Sequence, residues 1–183
     1  MTTKTLSDKK ERNARVFFAL WPDHAIQKQF THLAKTLVPT CGGRQVKTQN
    51  IHLTLVFLGN VAINRLPELQ SAACNVAAQA FNLSIQKTHY WKRNHIIHAY
   101  TESFPAELFS LVDALRNVLS MAGFTVDQRA YKPHITLIRN AKSYTEIDLI
   151  EPIQWHAKQW CLIQSKQTDN GVDYIPLHCW LLK

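Results

Sequence analysis

The sequence predicts a duplicated α+β fold: two similar lobes related by a pseudo-two-fold axis, with a cleft between them. Three observations predict it. The pattern His-apolar-Thr-Leu occurs twice, as His52-Leu53-Thr54-Leu55 and His134-Ile135-Thr136-Leu137. With 9 His, 14 Thr and 20 Leu in 183 residues, about 0.08 chance occurrences are expected, so accident is a poor explanation even for so short a motif. Each motif also closes the same series of strand, helix, loop and motif strand. The spacing is nearly equal, 37 residues from Arg15 to His52 and 39 from His95 to His134, which marks an internal repeat.

In chain order, residues 1–14 read as a polar tail, leaving one domain over residues 15–183. Arg15 to Leu20 is an apolar run with the length of a buried strand. Trp21-Pro22-Asp23 breaks it and opens a helix on which Ala25, Ile26, Phe30, Leu33, Ala34 and Leu37 fall at helical spacing. Pro39 and Gly42-Gly43 end that helix. A basic approach from Arg44 to Asn50 leads into the first motif strand, HLTLVFLG, which stops at Gly59-Asn60. Residues 64–81, rich in alanine, predict a scaffold helix, 83–88 a strand and 90–94 a turn.

The second copy then begins. His95 to Tyr100 is its strand, and Pro105 to Ala122 its amphipathic helix. Leu108, Leu111, Val112, Leu115, Val118 and Leu119 form the apolar stripe of that helix, with Gly123 as its cap. The second motif strand, HITLIR, follows. Beyond residue 140 the sequence reads as a loop containing Pro152. Two last strands near 158–165 and 172–182 are joined by a turn at Asp169-Asn170-Gly171.

Within a strand, residues i and i+2 share a face. His52 and Thr54 therefore point one way and Leu53 and Leu55 the other; His134 and Thr136 repeat this. The leucine face is core and the His/Thr face looks into something polar. Pseudo-two-fold symmetry brings the four polar residues together, although 82 positions separate the histidines. Imidazole is the side chain best suited to move protons near neutral pH. Two imidazoles on opposite sides of one phosphorus are what hydrolysis of a cyclic phosphodiester needs, one taking a proton from water and the other protonating the departing ribose oxygen. Thr54, Thr136 and a nearby cation would hold the non-bridging oxygens, with Arg139 and Lys132 the natural candidates. The scheme calls for no metal and no cofactor. Zinc in particular wants three or four convergent ligands, and neither motif carries a recurrent acidic or cysteine partner.

Composition agrees with an anionic partner. The formal charge is +8 and the pI about 9.5, which favours nucleic acid. The N-terminal stretch lacks the apolar segment of a secretory leader, and no apolar run reaches membrane-spanning length, so a cytoplasmic monomer is the expectation. Cys41, Cys74, Cys161 and Cys179 have no CxxC or zinc-finger spacing and read as reduced thiols.

These stretches resemble a known family. HLTL and HITL are similar to the paired motifs of the two-histidine phosphoesterase superfamily. RVFFALWP, NIHLTLVFLG and YKPHITLIR look more specifically like the RNA 2′,3′-cyclic phosphodiesterases, first named 2′-5′ RNA ligases. The resemblance runs from Arg15 to Trp180. It implies antiparallel sheets lining a central cleft, helices outside, and metal-independent opening of RNA or nucleotide 2′,3′-cyclic phosphates to 2′-phosphomonoesters, with reversible 2′-5′ RNA joining as a further family activity. It casts His52 as general acid and His134 as the base that activates water. Arg139 becomes a phosphate contact, and Tyr131 takes a place near the base that relatives give to phenylalanine. One departure is IIHAY at 96–100, with His98 where an apolar or aromatic residue is usual.

On the residues alone, blander readings stand beside these. Arg139 is equally a solvated end-of-strand charge, and Tyr131 a core or rim residue. Lys132, Arg129, Arg44 and Lys47 are ordinary surface charge that could guide RNA phosphates. Ser165 lines the cleft or ends a strand. His89, His95, His98, His156 and His178 have no repeated context and receive no role. An RNA-end-binding module without turnover is the alternative to an enzyme; two intact proton-transfer groups argue for the enzyme.

Overall fold

The computed structural model describes residues 12–144, 147–169 and 171–183. Among these residues the elements are β1 (Asn13–Leu20), α1 (His24–Cys41), β2 (Arg44–Gln45), β3 (Leu53–Ala62), α2 (Leu66–Cys74), β4 (Phe81–Trp91) and β5 (Ile96–Tyr100). There follow α3 (Ala106–Met121), β6 (Ile135–Arg139), β7 (Asp148–Ala157), β8 (Gln159–Thr168) and β9 (Gly171–Leu181), with a short 3-10 turn at Thr48–Asn50.

The strands lie in the order β7-β4-β5-β6-β3-β1-β8-β9, with β2 added beside β6. This order is a palindrome of the repeat. Each motif strand is central and is backed by the opening strand of its own copy, β1 on β3 and β5 on β6, antiparallel in both cases. The two motif strands meet through a single bridge, Leu53 opposite Ile135. Leu53 and Ile135 are the apolar second residues of the two motifs, and β2 of the first copy adds a second junction between the halves by pairing with β6.

Burial follows the alternation. Ala14, Val16, Phe18 and Leu20 of β1 enter the main core with Phe30, Ala34 and Leu37 of α1. Phe17 and Ala19, on the other face, form a separate small cluster with Cys161 and Ile163, flanked by Trp21 and Tyr174. α1 starts at Asp23, whose carboxylate accepts from the Ile26 N–H at 2.9 Å, satisfying an otherwise orphaned amide. α3 ends before Gly123, which takes φ 73° while Phe124 N donates to the Leu119 carbonyl, as a glycine-terminated helix does.

Six expectations need correction. The strand begins at Asn13, paired with Ala62, so the polar tail is shorter than read; residues 1–11 lie outside the described residues, as does Asn170 of the last turn. α1 runs through Pro39 to Cys41. The alanine-rich segment is helical only to Cys74; Ala78 and Ala80 instead exchange backbone hydrogen bonds with Lys183. β4 extends to Trp91, moving the turn past it. Residues 148–157, read as a loop because of Pro152, form the edge strand β7, where a proline without an N–H is tolerated. Finally, Cys161 and Cys179 are not free thiols. They face each other across β8 and β9 with Cα atoms 4.0 Å apart and form a disulfide, while Cys41 and Cys74 are free.

Candidate active site

Both motif strands carry the same irregularity. In β3, Phe18 pairs with Val56 and Ala19 with Thr54, skipping Leu55; in β6, Ile97 pairs with Ile138 and His98 with Thr136, skipping Leu137. The extra residue is the motif leucine in each copy. Such a bulge bends the strand and re-aims its side chains, and in both copies it directly follows the His and Thr that line the cavities.

The histidines are anchored alike. His52 Nδ1 lies 2.7 Å from the Asn50 carbonyl oxygen and His134 Nδ1 2.8 Å from that of Lys132. A carbonyl only accepts, so each Nδ1 carries the proton and each Nε2 the lone pair. His52 Nε2 lies 3.0 Å from Thr54 Oγ1. The surroundings then diverge. His52 is packed by Phe17 and Tyr174, with ring centres at 5.0 and 5.1 Å, and stacked by Trp21 at 5.8 Å. His134 has Trp91 at 4.4 Å and His98 at 5.6 Å.

Two cavities flank the motifs. One, of about 750 Å³, is lined by His52, Thr136, Arg139, Ser165, Tyr174 and the cations Arg15, Arg44, Lys47 and Lys166, and among the described residues no carboxylate lines it. The other, of about 570 Å³, is lined by Thr54, Tyr131, Lys132 and His134, with Trp91, Arg116, Arg129 and Asp127. Each cavity thus takes the histidine of one motif and the threonine of the other, and the His52–Thr54 contact lies where they adjoin. His52, Thr54, His134, Thr136, Arg139, Tyr131, Lys132 and Ser165, the residues singled out by sequence, all line one or the other. Tyr131 is tied down as well: its hydroxyl donates to the Thr54 carbonyl at 2.8 Å, bracing the approach to one motif against the strand of the other.

Electrostatics set both imidazoles below their usual range. Burial pushes His52 down to about 4, assisted by the charges of His134 and Arg139 and opposed by the hydrogen bond to Asn50. His134 is lowered by burial, with the Arg139 charge adding to it and the bond to Lys132 opposing. Both are therefore neutral near pH 7.

Several contributors went unassigned in the sequence. Asn50 is buried and its side chain bonds β9, donating to the Val172 carbonyl at 2.8 Å and accepting from Tyr174 N at 3.2 Å. Its place two before His52, like Lys132 before His134, was the available signal. Trp91 falls in a stretch whose sequence predicts a turn. His98 is buried, its Nδ1 has no hydrogen-bond partner among the described residues, and burial with the neighbouring His134 and His89 lowers it to about 3. Among the surface cations, Lys47 pairs with Asp173 at 2.6 Å and Arg129 with Asp127; Arg44 has no such partner among the described residues.

Comparison with known proteins agrees with this architecture. The LigT like Phosphoesterase family model matches residues 20–98. The RNA 2′,3′-cyclic phosphodiesterase of Escherichia coli strain K12 is 30% identical over 92% of this chain and 96% of its own length. That of Thermotoga maritima is 29% identical over 90% of this chain and 93% of its own. The crystal structure of E. coli LigT complexed with 3′-AMP superposes with a TM-score of 0.83 at 28% identity, covering 93% of this chain and 99% of that one. The chain belongs to the RNA 2′,3′-cyclic phosphodiesterase family of LigT-like phosphoesterases. No helix among the described residues is long and apolar enough to cross a membrane.

Proposed function

We propose that this protein hydrolyses 2′,3′-cyclic phosphates at RNA ends or on nucleotides to 2′-phosphomonoesters, by proton transfer between two histidines. The observation that carries this reading is the matched anchoring of the imidazoles. In both copies Nδ1 is held by the carbonyl two residues earlier, which leaves the Nε2 lone pair of each ring for proton transfer, that of His52 resting against the Thr54 hydroxyl.

In the step proposed, His134 Nε2 removes a proton from water as the water oxygen attacks phosphorus. The bond from phosphorus to the ribose 3′ oxygen breaks, and protonated His52 gives that oxygen its Nε2 proton. His52 thereby returns to neutral and His134 becomes cationic; exchange with solvent resets both. Thr54 and Thr136 donate to the non-bridging oxygens, and Arg139 and Lys132 supply positive charge there, in a site preorganised before substrate arrives. The anionic phosphate raises the His52 pKa from its low resting position, so the acid becomes charged where it is needed. Tyr131 and Ser165 contact substrate from the walls of the two cavities.

Incubation with a nucleoside 2′,3′-cyclic phosphate in EDTA, followed by phosphorus NMR, tests the reading. The expected product is the 2′-phosphate. The 3′ isomer would reverse or refute the acid and base assignment, and no product would refute hydrolysis.

A further inference from the structure

Arg44 and Arg139 stand directly opposite each other in the β2–β6 ladder. Like charges at opposed positions of a sheet are destabilising, yet neither guanidinium has a carboxylate partner among the described residues. The ladder does not let them drift apart. Val46 N donates to the Leu137 carbonyl, and Gly43 approaches so closely that a Cβ there would lie 2.7 Å from the Arg139 carbonyl oxygen. Both arginines are exposed and line the same cavity as His52 and Thr136, a cavity that no carboxylate lines among the described residues. Two arginines whose backbones the ladder holds opposite each other, neither with a carboxylate partner among the described residues, suit an oxyanion, since each presents a planar fork of donors to phosphate.

We propose that Arg44 and Arg139 form a clamp for a second phosphate of the substrate, the one on the 5′ side of the nucleotide whose cyclic phosphate reacts. The inference rests on the proposed hydrolysis. If His52 protonates the departing ribose oxygen, the ribose lies on the His52 side of phosphorus, and its 5′ carbon leads into the cavity that holds both arginines. Arg139 then serves two anions, reaching the reacting phosphate from one edge of its fork and the 5′ phosphate from the other. The substrate class narrows accordingly to cyclic phosphates carrying a 5′ phosphate, as a chain end or a 5′-phosphorylated nucleotide.

The test compares a nucleoside 2′,3′-cyclic phosphate with the same compound bearing a 5′ phosphate. The wild-type protein is expected to favour the doubly phosphorylated substrate by roughly tenfold or more in kcat/KM, the scale of a charge-assisted hydrogen bond. Arg44→Gln should bring that ratio close to one, and Arg44→Lys should give an intermediate ratio, keeping charge without the fork. A wild-type ratio near one, or an equal loss on both substrates in Arg44→Gln, overturns the clamp. Should neither cyclic compound be turned over, the hydrolysis reading fails by itself. The dissociation constants of a nucleoside 2′-phosphate with and without a 5′ phosphate then read the clamp directly, and equal values overturn it. At low salt and without ligand, Arg44→Gln should melt no lower than wild type; a lower melting temperature would mean that Arg44 has a stabilising partner and that no clamp is needed to explain it.

Discussion

Replacing His52 or His134 by alanine is expected to lower kcat by about 10²–10⁴, the contribution of a positioned general acid or base, with folding retained. Each ring is only partly buried, and each is held by a single backbone carbonyl. The surrounding aromatics, Phe17, Trp21 and Tyr174 on one side and Trp91 on the other, have other contacts. The double variant should lose little beyond the worse single one, because two groups acting in one proton-transfer step are not additive. Steady-state rates and thermal melts on the three variants check both statements. Losses below tenfold in either single variant would mean that the imidazoles do not carry the reaction.

Gly43→Ala is expected to be the most damaging change outside the motifs. Gly43 has φ 86°, and an added Cβ would lie 2.7 Å from the Arg139 carbonyl oxygen, 2.9 Å from Ala141 N and 2.9 Å from Ile138 Cγ2. Two of these neighbours are backbone atoms that cannot rotate away. Strained backbone and forced overpacking each cost roughly 1–3 kcal/mol, so a total loss of about 2–6 kcal/mol is expected in urea melts. Relief of the clash would push β2 off β6 and carry Arg44 away from Arg139, so activity should fall even in protein that remains folded. Gly42→Ala provides the comparison. Gly42 has φ 64°, but its Cβ would meet only the Lys142 side chain, at 3.5 Å, so strain alone should be felt.

The repeat made most of this architecture legible. His52, Thr54, His134 and Thr136 could be placed together because the same local pattern recurs at the same distance from an opening strand, and duplication converts sequence spacing into spatial symmetry. The parts that did not recur were harder to read. β7 was hidden by Pro152, whose tolerance at a sheet edge depends on knowing which strand is the edge. The end of α2 was hidden because alanine favours helix locally, whereas Ala78 and Ala80 pair with the far end of the chain. The Cys161–Cys179 bond depends on the β8–β9 register, which spacing alone does not give. Arg44 looked like any surface cation until its partner across the ladder proved to be Arg139. Trp91 shares this character, since it meets His134 only through the fold, and so does the Asn50 side chain, which is held by β9.

The most direct test of the two-imidazole account is the pH dependence of kcat/KM in the wild type and in the two single-histidine variants. The base must be neutral, which fails as pH falls through its pKa, and the acid must be protonated, which fails as pH rises through its pKa. Because kcat/KM reports the free protein, where both histidines lie below 6.5 and His52 near 4, the wild-type profile should be a bell centred on the acid side of 6.5. The kcat profile should be displaced to higher pH by the bound anion. His52→Ala should lose the alkaline limb and His134→Ala the acidic limb. A profile flat from about pH 4 to 9, or a bell that survives unchanged in both variants, would contradict the account.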